Sequence, residues 1–312
     1  MTGHHGPGSA GGAGGAGGAG DQRGRLAAVL AIVVVALLGE LVGGVVSGSL
    51  ALLADAGHLL TDAVAIVVAL VAITLARRPA PERRSYGNFR AEILAALVNG
   101  VLLLVVCVVV AVEALRRLAH PVGVRPGPML AIGVIGLVAG ASAVLLLRRG
   151  QAHSLNVRGA YLEMMGDLLG ALAVIVAAVV VAATGWVRAD PVASLVIAAL
   201  ILPRAVALLR ATLHVLFEGA PPEVDLQSLR AHLTAVPGVV DVHDLHVWTI
   251  TSGMPVLSAH VVVDDAQTLP ACGREGVLDR LAGCVGDHFD VAHSTFQIEP
   301  AGHFGHEHAA HD

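Results

Sequence analysis

The chain has 312 residues, of which 55% are hydrophobic, 14% are charged and 3% are aromatic, and its mean hydropathy is +0.76. An ordinary soluble domain has about a quarter charged residues, so this composition argues against a wholly soluble globule. The formal net charge is −5, and the 19 basic residues are all arginines without the clustering that nucleic-acid binding requires. We therefore expect a membrane protein with no nucleic-acid partner.

The two ends of the chain have compositions that are typical of disordered tails. Residues 1–24 are a repeat of glycine and alanine, which cannot bury enough apolar surface to fold. This segment has neither the basic n-region nor the apolar core of a signal peptide. Residues 301–312 contain four histidines. The histidines either raise the local metal concentration or are simply solvated.

Six apolar stretches between the tails are long enough to cross a bilayer, which takes about 20 residues. They are 26–46, 50–76, 91–115, 128–147, 160–184 and 190–213. One face of this bundle carries ten arginines in its loops and flanks, and the other carries four. By the positive-inside rule, the arginine-rich face and both termini are cytoplasmic. The sequence predicts a six-helix transmembrane domain at 25–214, in the plasma membrane of a bacterium.

The composition changes to that of a soluble domain at 215–300. Pro221 and Pro222 break the preceding helix, and turn signals separate shorter elements. We predict a helix, two strands, a helix and a strand, at 223–235, 239–249, 255–263, 269–288 and 291–298. This αββαβ order predicts a small α+β domain of the ferredoxin-like kind.

Four ionisable residues lie deep in two of the predicted membrane helices. His58 and Asp62 are four residues apart, as are Glu163 and Asp167, so each pair lies on one helix face. Burial of such groups in a membrane is costly, and they usually mark an ion pathway. If the two faces meet, one imidazole and three carboxylates form a tetrahedral shell that suits zinc. The alternative is that these groups pair with one another merely to lower the cost of burial.

A shell without cysteine also accepts Cd²⁺, Co²⁺ or Mn²⁺, so the choice of metal is less sharply predicted than metal transport itself. Three further polar residues lie at membrane depth. Glu40 is either a proton relay or a structural partner, and Asn99 either joins helices or binds an ion. Asp55 is either a further ligand or a carboxylate on the access path, and we favour the access path.

Four motifs resemble those of the cation diffusion facilitators, which are metal–proton antiporters that include zinc transporters. SGSLALLADAGHLLTD at 47–62 resembles the family's second-helix signature, and YGNFRAE at 86–92 its third-helix entry. The segment 156–170 resembles the fifth helix, and HDLHVW at 243–248 the C-terminal domain. The resemblance covers about 25–300, which is nearly the whole predicted ordered chain.

The resemblance implies a homodimer that exports cytosolic Zn²⁺ in exchange for protons, with a cytoplasmic metal-binding and dimerisation domain at 215–300. It assigns the transport ligands to His58, Asp62 and Asp167. Zinc-transporting members often have histidine at the position of Glu163, so a glutamate there favours a broader range of Zn²⁺, Cd²⁺ and Co²⁺, or Mn²⁺. Residues 77–90 contain no histidine or aspartate. We therefore predict no metal site between the second and third helices.

In the C-terminal domain, the resemblance places metal ligands at four positions near the expected dimer interface. These positions are His243, His246, His260 and Glu299. The resemblance thus implies Zn²⁺ bound in the cytoplasmic domain as well as transported. The alternative is that these histidines are ordinary surface or hydrogen-bonded residues.

Two other functional classes fit parts of the pattern less well. A channel needs binding weak enough for the ion to leave, which a closed four-ligand site opposes. A membrane metalloenzyme would need an open coordination position and a path for a nucleophile, and no second catalytic motif is present. We therefore predict a transporter and no enzymatic activity.

Overall fold

A computed structural model of the protein describes residues 15–75, 85–147, 155–264, 273–291 and 293–302. Within the helices, some side chains lie outside the described residues, at 15–26, 28, 69, 72–75, 143, 146–147 and 155–163. The chain forms two compact units. One comprises Met1–Pro79 and Ala95–Leu209, and the other comprises Ala80–Leu94 and Arg210–Asp312.

Six long helices make up most of the chain. They are α1 (Gly15–Ser47), α2 (Leu50–Leu75), α3 (Arg90–Ala119), α4 (Pro126–Leu147), α5 (Leu155–Thr184) and α6 (Ala189–Leu216). Five of them contain stretches long and apolar enough to cross a membrane, and the described apolar stretch of α4 is Pro126–Ser142. The predicted helical membrane architecture is therefore confirmed, and apart from the start of α1 the helix ends lie close to the predicted ones.

The beginning of α1 differs from the prediction. The helix begins at Gly15, whereas the sequence predicts a disordered tail up to residue 24. Residues 15–24 are therefore helical in the structure. Extending an existing helix adds one hydrogen bond for each residue that it fixes, which the apolar segment from Leu26 onward makes possible. The remaining predicted tail residues, and His303, His306, His308 and His311, lie outside the described residues.

A tight turn joins α1 to α2, and its local chemistry explains the break. Gly48 has φ +73°, a left-handed conformation that suits glycine at the end of a helix. The Ser47 hydroxyl donates to the Gly43 carbonyl over 2.6 Å, and Arg117 Nη1 donates to the Gly48 carbonyl over 2.7 Å. The bond from Arg117 satisfies a carbonyl just beyond the helix end, where the backbone no longer has an intrahelical partner.

The core of the first unit lies between α2, α3, α4, α5 and α6, and its fully buried side chains include Leu52, Met129, Val174 and Ile197. Close helix contact depends on a small residue at Gly57, where a Cβ would lie 2.7 Å from Val106 Cγ1 of α3. Gly57 directly precedes His58, so α2 and α3 approach each other closely where α2 carries its first predicted ligand.

The second unit contains α7 (Leu226–Thr234), β1 (Val239–Thr249), β2 (Pro255–Val263), α8 (Gly273–Phe289) and β3 (His293–Pro300). The sheet order is β1-β2-β3, with β1 antiparallel and β3 parallel to the central β2. Its core is formed by side chains from both helices and the sheet, including Leu229, Leu257 and Leu281. The predicted αββαβ domain is confirmed. A parallel β2–β3 pair requires a crossover connection, and α8 lies within it.

Candidate metal sites

The first candidate site begins with two side chains on one face of α2. His58 is only 2% exposed, and its Nε2 lies 3.5 Å from Asp62 Oδ2. The i,i+4 spacing brings them together as predicted. The Thr61 hydroxyl donates to the His58 carbonyl over 2.7 Å, within the same helical turn. The imidazole is therefore buried while the carboxylate beside it, 27% exposed, remains accessible.

The fifth helix supplies a second carboxylate to the same imidazole. Asp167 Oδ1 lies 3.3 Å from His58 Nε2, so α2 and α5 meet at the atom that would bind a metal. The structure thus brings His58, Asp62 and Asp167 together. The backbone of Glu163 lies one turn before Asp167 in α5, but its side chain lies outside the described residues. Its role as fourth ligand remains a prediction.

A third helix also reaches this cluster, through a residue that the sequence analysis does not single out. Arg204 of α6 places Nη1 3.2 Å from His58 Nε2 and 3.5 Å from Asp167 Oδ1. The available signal is a charged residue inside the apolar stretch 190–213, which the rule for ionisable groups in a membrane would select. The rule gives no partner for it, so only the fold identifies its neighbours.

The other polar residues at membrane depth are distributed around the cluster. Asp55 lies one turn before His58, and its Oδ1 is 3.5 Å from the position of a Cβ on Gly170 of α5. Glu40 Oε2 and Asn99 Oδ1 are buried without a hydrogen-bond partner among the described residues. The structure does not decide between the alternative roles predicted for these three residues.

A separate buried carboxylate caps the N-terminal end of α2. Asp190 at the start of α6 is 0% exposed and accepts from the Ser49 hydroxyl over 2.5 Å. It also accepts from the backbone N–H groups of Leu50 and Ala51, over 2.8 and 3.2 Å. These are donors that a helix leaves unpaired at its N-terminus, and a carboxylate there also complements the helix dipole. Asp190 is therefore an N-terminal cap supplied by a distant part of the chain.

The second candidate site lies in the sheet of the second unit. His243 of β1 is directly opposite His260 of β2, with ring centroids 5.2 Å apart. Glu299 of β3 completes the group: its Oε1 lies 2.9 Å from His260 Nδ1, and its Oε2 lies 3.6 Å from His243 Nε2. Ligand atoms from all three residues lie within 4.8 Å of one another.

Burial distinguishes this triad from a chance surface cluster. His243 is 6% exposed and Glu299 only 2% exposed. A carboxylate at that depth is costly unless it is paired with a positive charge or a metal. Gln297 Nε2 donates to Glu299 Oε1 over 2.7 Å, whereas Oε2 accepts no hydrogen bond within the described part of the chain. One carboxylate oxygen is thus left facing His243.

His246, the fourth residue predicted for this site, does not join the triad. The pairing of β1 with β2 is irregular between His243 and His246, and Asp244 between them has a positive φ of 45°. His246 pairs with Ser258 rather than with His260, and it is exposed in a cleft of about 920 Å³ that Tyr86 and Trp248 also line. Arg90 and Glu218 form an ion pair of 2.9 Å in the same cleft. The assignment of His246 as a ligand remains a prediction.

Comparisons with known proteins agree with the resemblance seen in the sequence. The family model for the cation efflux transmembrane domain matches residues 26–217, and the one for the cytoplasmic domain of cation efflux proteins matches 221–301. The chain belongs to the cation diffusion facilitator, or cation efflux, family. Members of this family are transporters and not enzymes, so the protein is a multi-pass membrane transporter.

Several curated relatives cover most of the chain. The metal cation efflux system protein CzcD of Cupriavidus metallidurans is 42% identical over 88% of this chain and 86% of its own. A cadmium, cobalt and zinc/H(+)-K(+) antiporter of Bacillus subtilis is 38% identical over 85% of each chain. The zinc transporter ZitB of Escherichia coli is 40% identical over 84% of this chain and 83% of its own.

A solved structure, of the metal-bound C-terminal domain of the CzcD transporter from Cupriavidus metallidurans, is 41% identical. It covers 24% of this chain and 99% of that one, with a TM-score of 0.22.

Proposed function

We propose that this member of the cation diffusion facilitator family exports a divalent transition-metal cation, zinc first, from the cytosol in exchange for protons. The observation that carries the proposal is the convergence of Asp62 and Asp167 on His58 Nε2, at 3.5 and 3.3 Å, inside an apolar helix bundle. A tetrahedral zinc shell with bonds of about 2.0 to 2.2 Å places its ligand atoms roughly 3.3 Å apart. The observed separations fit that requirement before any ion is bound.

The ligand chemistry supports transport rather than permanent binding. Imidazole and carboxylate without thiolate form a shell that several divalent ions enter, so geometry and availability select among them. Glu163 as the fourth ligand would add a third carboxylate, which favours a range that includes Cd²⁺ and Co²⁺. The names of the relatives, which mention zinc, cadmium and cobalt, support the same range.

Proton exchange follows from the imidazole at the centre of the site. A histidine nitrogen must be deprotonated to bind a metal, so a proton and the ion compete for His58 Nε2. A proton that arrives from outside would help to release the ion, and an ion that arrives from the cytosol would displace the proton. The name of the Bacillus subtilis relative, a cadmium, cobalt and zinc/H(+)-K(+) antiporter, supports this coupling.

The proposed arrangement has a transport domain at 25–214 and a metal-binding and dimerisation domain at 215–300, with both termini in the cytoplasm of a bacterium. The homodimer rests on the family resemblance, and the orientation rests on the excess of arginine on one face.

His243, His260 and Glu299 would hold a resident zinc ion in the cytoplasmic domain. The donor set fits zinc, because two imidazoles and a carboxylate are three of its usual ligands and Glu299 Oε2 lacks a hydrogen-bond donor among the described residues. When bound, the ion supplies a positive charge that offsets the burial of the carboxylate and joins all three strands.

Zinc flux in proteoliposomes with and without an imposed pH gradient tests the proposed function. We expect zinc entry into vesicles that are acidic inside, through inside-out molecules, and a large fall in the rate when an ionophore removes the gradient. The matched control is the Asp279→Asn variant, which removes an exposed carboxylate in α8 and should behave as the parent. Flux that is independent of the gradient would overturn the antiport proposal.

A further inference from the structure

The most informative group outside the expected ligand set is the guanidinium of Arg204. It is a fixed positive charge, because arginine stays protonated in proteins. Its Nη1 lies 3.2 Å from His58 Nε2 and 3.5 Å from Asp167 Oδ1. Both of these atoms are ones that the transported ion would bind. The same two atoms therefore contact the guanidinium of Arg204 and would also bind the transported ion.

These two cations cannot share the site at its observed spacing. An ion bonded to His58 Nε2 at about 2.0 to 2.2 Å would lie within a few ångströms of Nη1. At that separation a divalent ion and a guanidinium repel each other strongly, even in an effective dielectric of about 20. Arg204 therefore has to withdraw when the ion enters. Its side chain is 33% exposed, so it is not locked in place by packing.

We propose that Arg204 is a built-in counter-cation of the transport site, which occupies the ligands when the ion is absent and competes with it for them. This inference rests on the proposed transport site. In its observed position the guanidinium offsets part of the charge of Asp167. Its return then favours release of the ion, so it weakens equilibrium binding and speeds turnover.

A merely structural role for Arg204 predicts the opposite change in affinity. If the arginine only holds Asp167 in position, its removal loosens the site and weakens metal binding. If it competes with the ion, its removal strengthens binding. The sign of the change in zinc affinity therefore separates the two roles.

The experiment measures zinc binding by equilibrium dialysis on the full-length protein in detergent, at one pH. A background with His243→Ala and His260→Ala removes the cytoplasmic site. We expect Arg204→Met to lower the Kd for zinc by at least about tenfold, since it removes a positive charge next to the ion. Arg204→Gln, a second neutral variant, should do the same. Arg204→Lys, which keeps the charge, should bind more weakly than either.

The matched control is Arg210→Met, at an exposed arginine six positions further along α6, which should leave the Kd unchanged. In proteoliposomes, Arg204→Met should lower both KM and kcat, because tighter binding slows release. Unchanged or weaker zinc binding in both neutral variants would overturn the role of Arg204.

A further variant in the same background, Asp62→Asn, tests the site on which this inference rests. Loss of zinc binding in this variant supports the transport site, whatever Arg204 does. Retained binding would overturn the site assignment, and the counter-cation with it. Failure of the inference and failure of the proposed function therefore give different results.

Discussion

The two candidate metal sites of this protein use the same side-chain types in opposite proportions. The cluster between α2 and α5 has one imidazole and two described carboxylates, whereas the sheet cluster has two imidazoles and one carboxylate. Asp62 and Asp167 are 27% and 24% exposed, but Glu299 is 2% exposed. We propose from this difference that exposed carboxylates suit a site that exchanges its ion, and that the buried carboxylate of Glu299 suits a site that retains one.

The largest expected effect is the separation of the two sites by Asp62→Asn. This change removes one ligand charge and keeps the shape of the side chain. We expect zinc flux in proteoliposomes to fall by more than about a hundredfold, beyond the 10–100-fold that loss of an outer-shell partner costs. Zinc binding by the cytoplasmic cluster should persist. Flux near the parent rate would show that Asp62 is not a transport ligand.

The reciprocal change is Glu299→Gln. It should disrupt zinc binding at the cytoplasmic cluster and leave the transport site between α2 and α5 intact. The amide keeps the size of the side chain but loses the anionic donor, so zinc affinity of the cytoplasmic cluster should fall by at least tenfold to a hundredfold. Titration of the full-length protein should show one class of zinc sites fewer, with transport still measurable. Parent-like stoichiometry in this variant would contradict the assignment of the triad.

A selectivity swap sharpens the comparison with a smaller effect. His58→Asp gives the transport site an all-oxygen set of described ligands, and hard oxygen donors suit Mn²⁺ better than imidazole does. We expect the ratio of Mn²⁺ to Zn²⁺ transport to rise by about tenfold, which corresponds to a change of about 1.4 kcal/mol. Glu163→His should move the ratio the other way. Competition assays with both ions check this, and an unchanged ranking in both variants would remove these residues from the selectivity filter.

The smallest expected effect concerns the cap of α2, in which Ser49 and Asp190 have a structural role. Ser49→Ala removes one hydrogen bond to the buried Asp190 carboxylate, so stability of the folded protein should fall by about 1 kcal/mol. The metal ranking should not change, because Ser49 is a full two turns of α2 from His58. Thermal unfolding in detergent measures the loss of stability. A changed ranking would mean that this cap belongs to the transport machinery.

Local patterns predict those parts of the two sites that lie within one helix or follow a family motif. The i,i+4 spacing is sufficient for His58 and Asp62, and the strand limits of the C-terminal domain follow from turn signals. The contact between Asp167 and His58 depends on the packing of α2 against α5. The sequence predicts this contact only if the two helix faces meet, and it does not show that they do. The contribution of Arg204 from α6 has no local signal beyond its charge. Sequence periodicity identifies which residues share a helix face, and only the fold shows which faces pack against each other.

The cytoplasmic cluster shows a second limit on what the sequence can predict. A regular period of two residues would place His243 and His246 on opposite faces of β1, and it does not anticipate the bulge at Asp244 that shifts the pairing between them. The parallel pairing that brings Glu299 beside His260 depends on the register of β3, which a short strand does not encode by itself. The family resemblance therefore supplies four candidate ligands, and the backbone geometry brings three of them together.

The Asp190 cap gives α2 a fixed end. His58 lies eight residues beyond Leu50, so at 1.5 Å per residue the imidazole is about 12 Å from the point where α6 holds the helix. With that end pinned, α2 acts as a lever, and a tilt of only about 5° displaces His58 by roughly 1 Å. A displacement of that size is comparable to the difference between a coordination bond and a hydrogen-bonded contact. Small angular motion in the bundle is thus enough to assemble or dismantle the ligand shell without unfolding either helix.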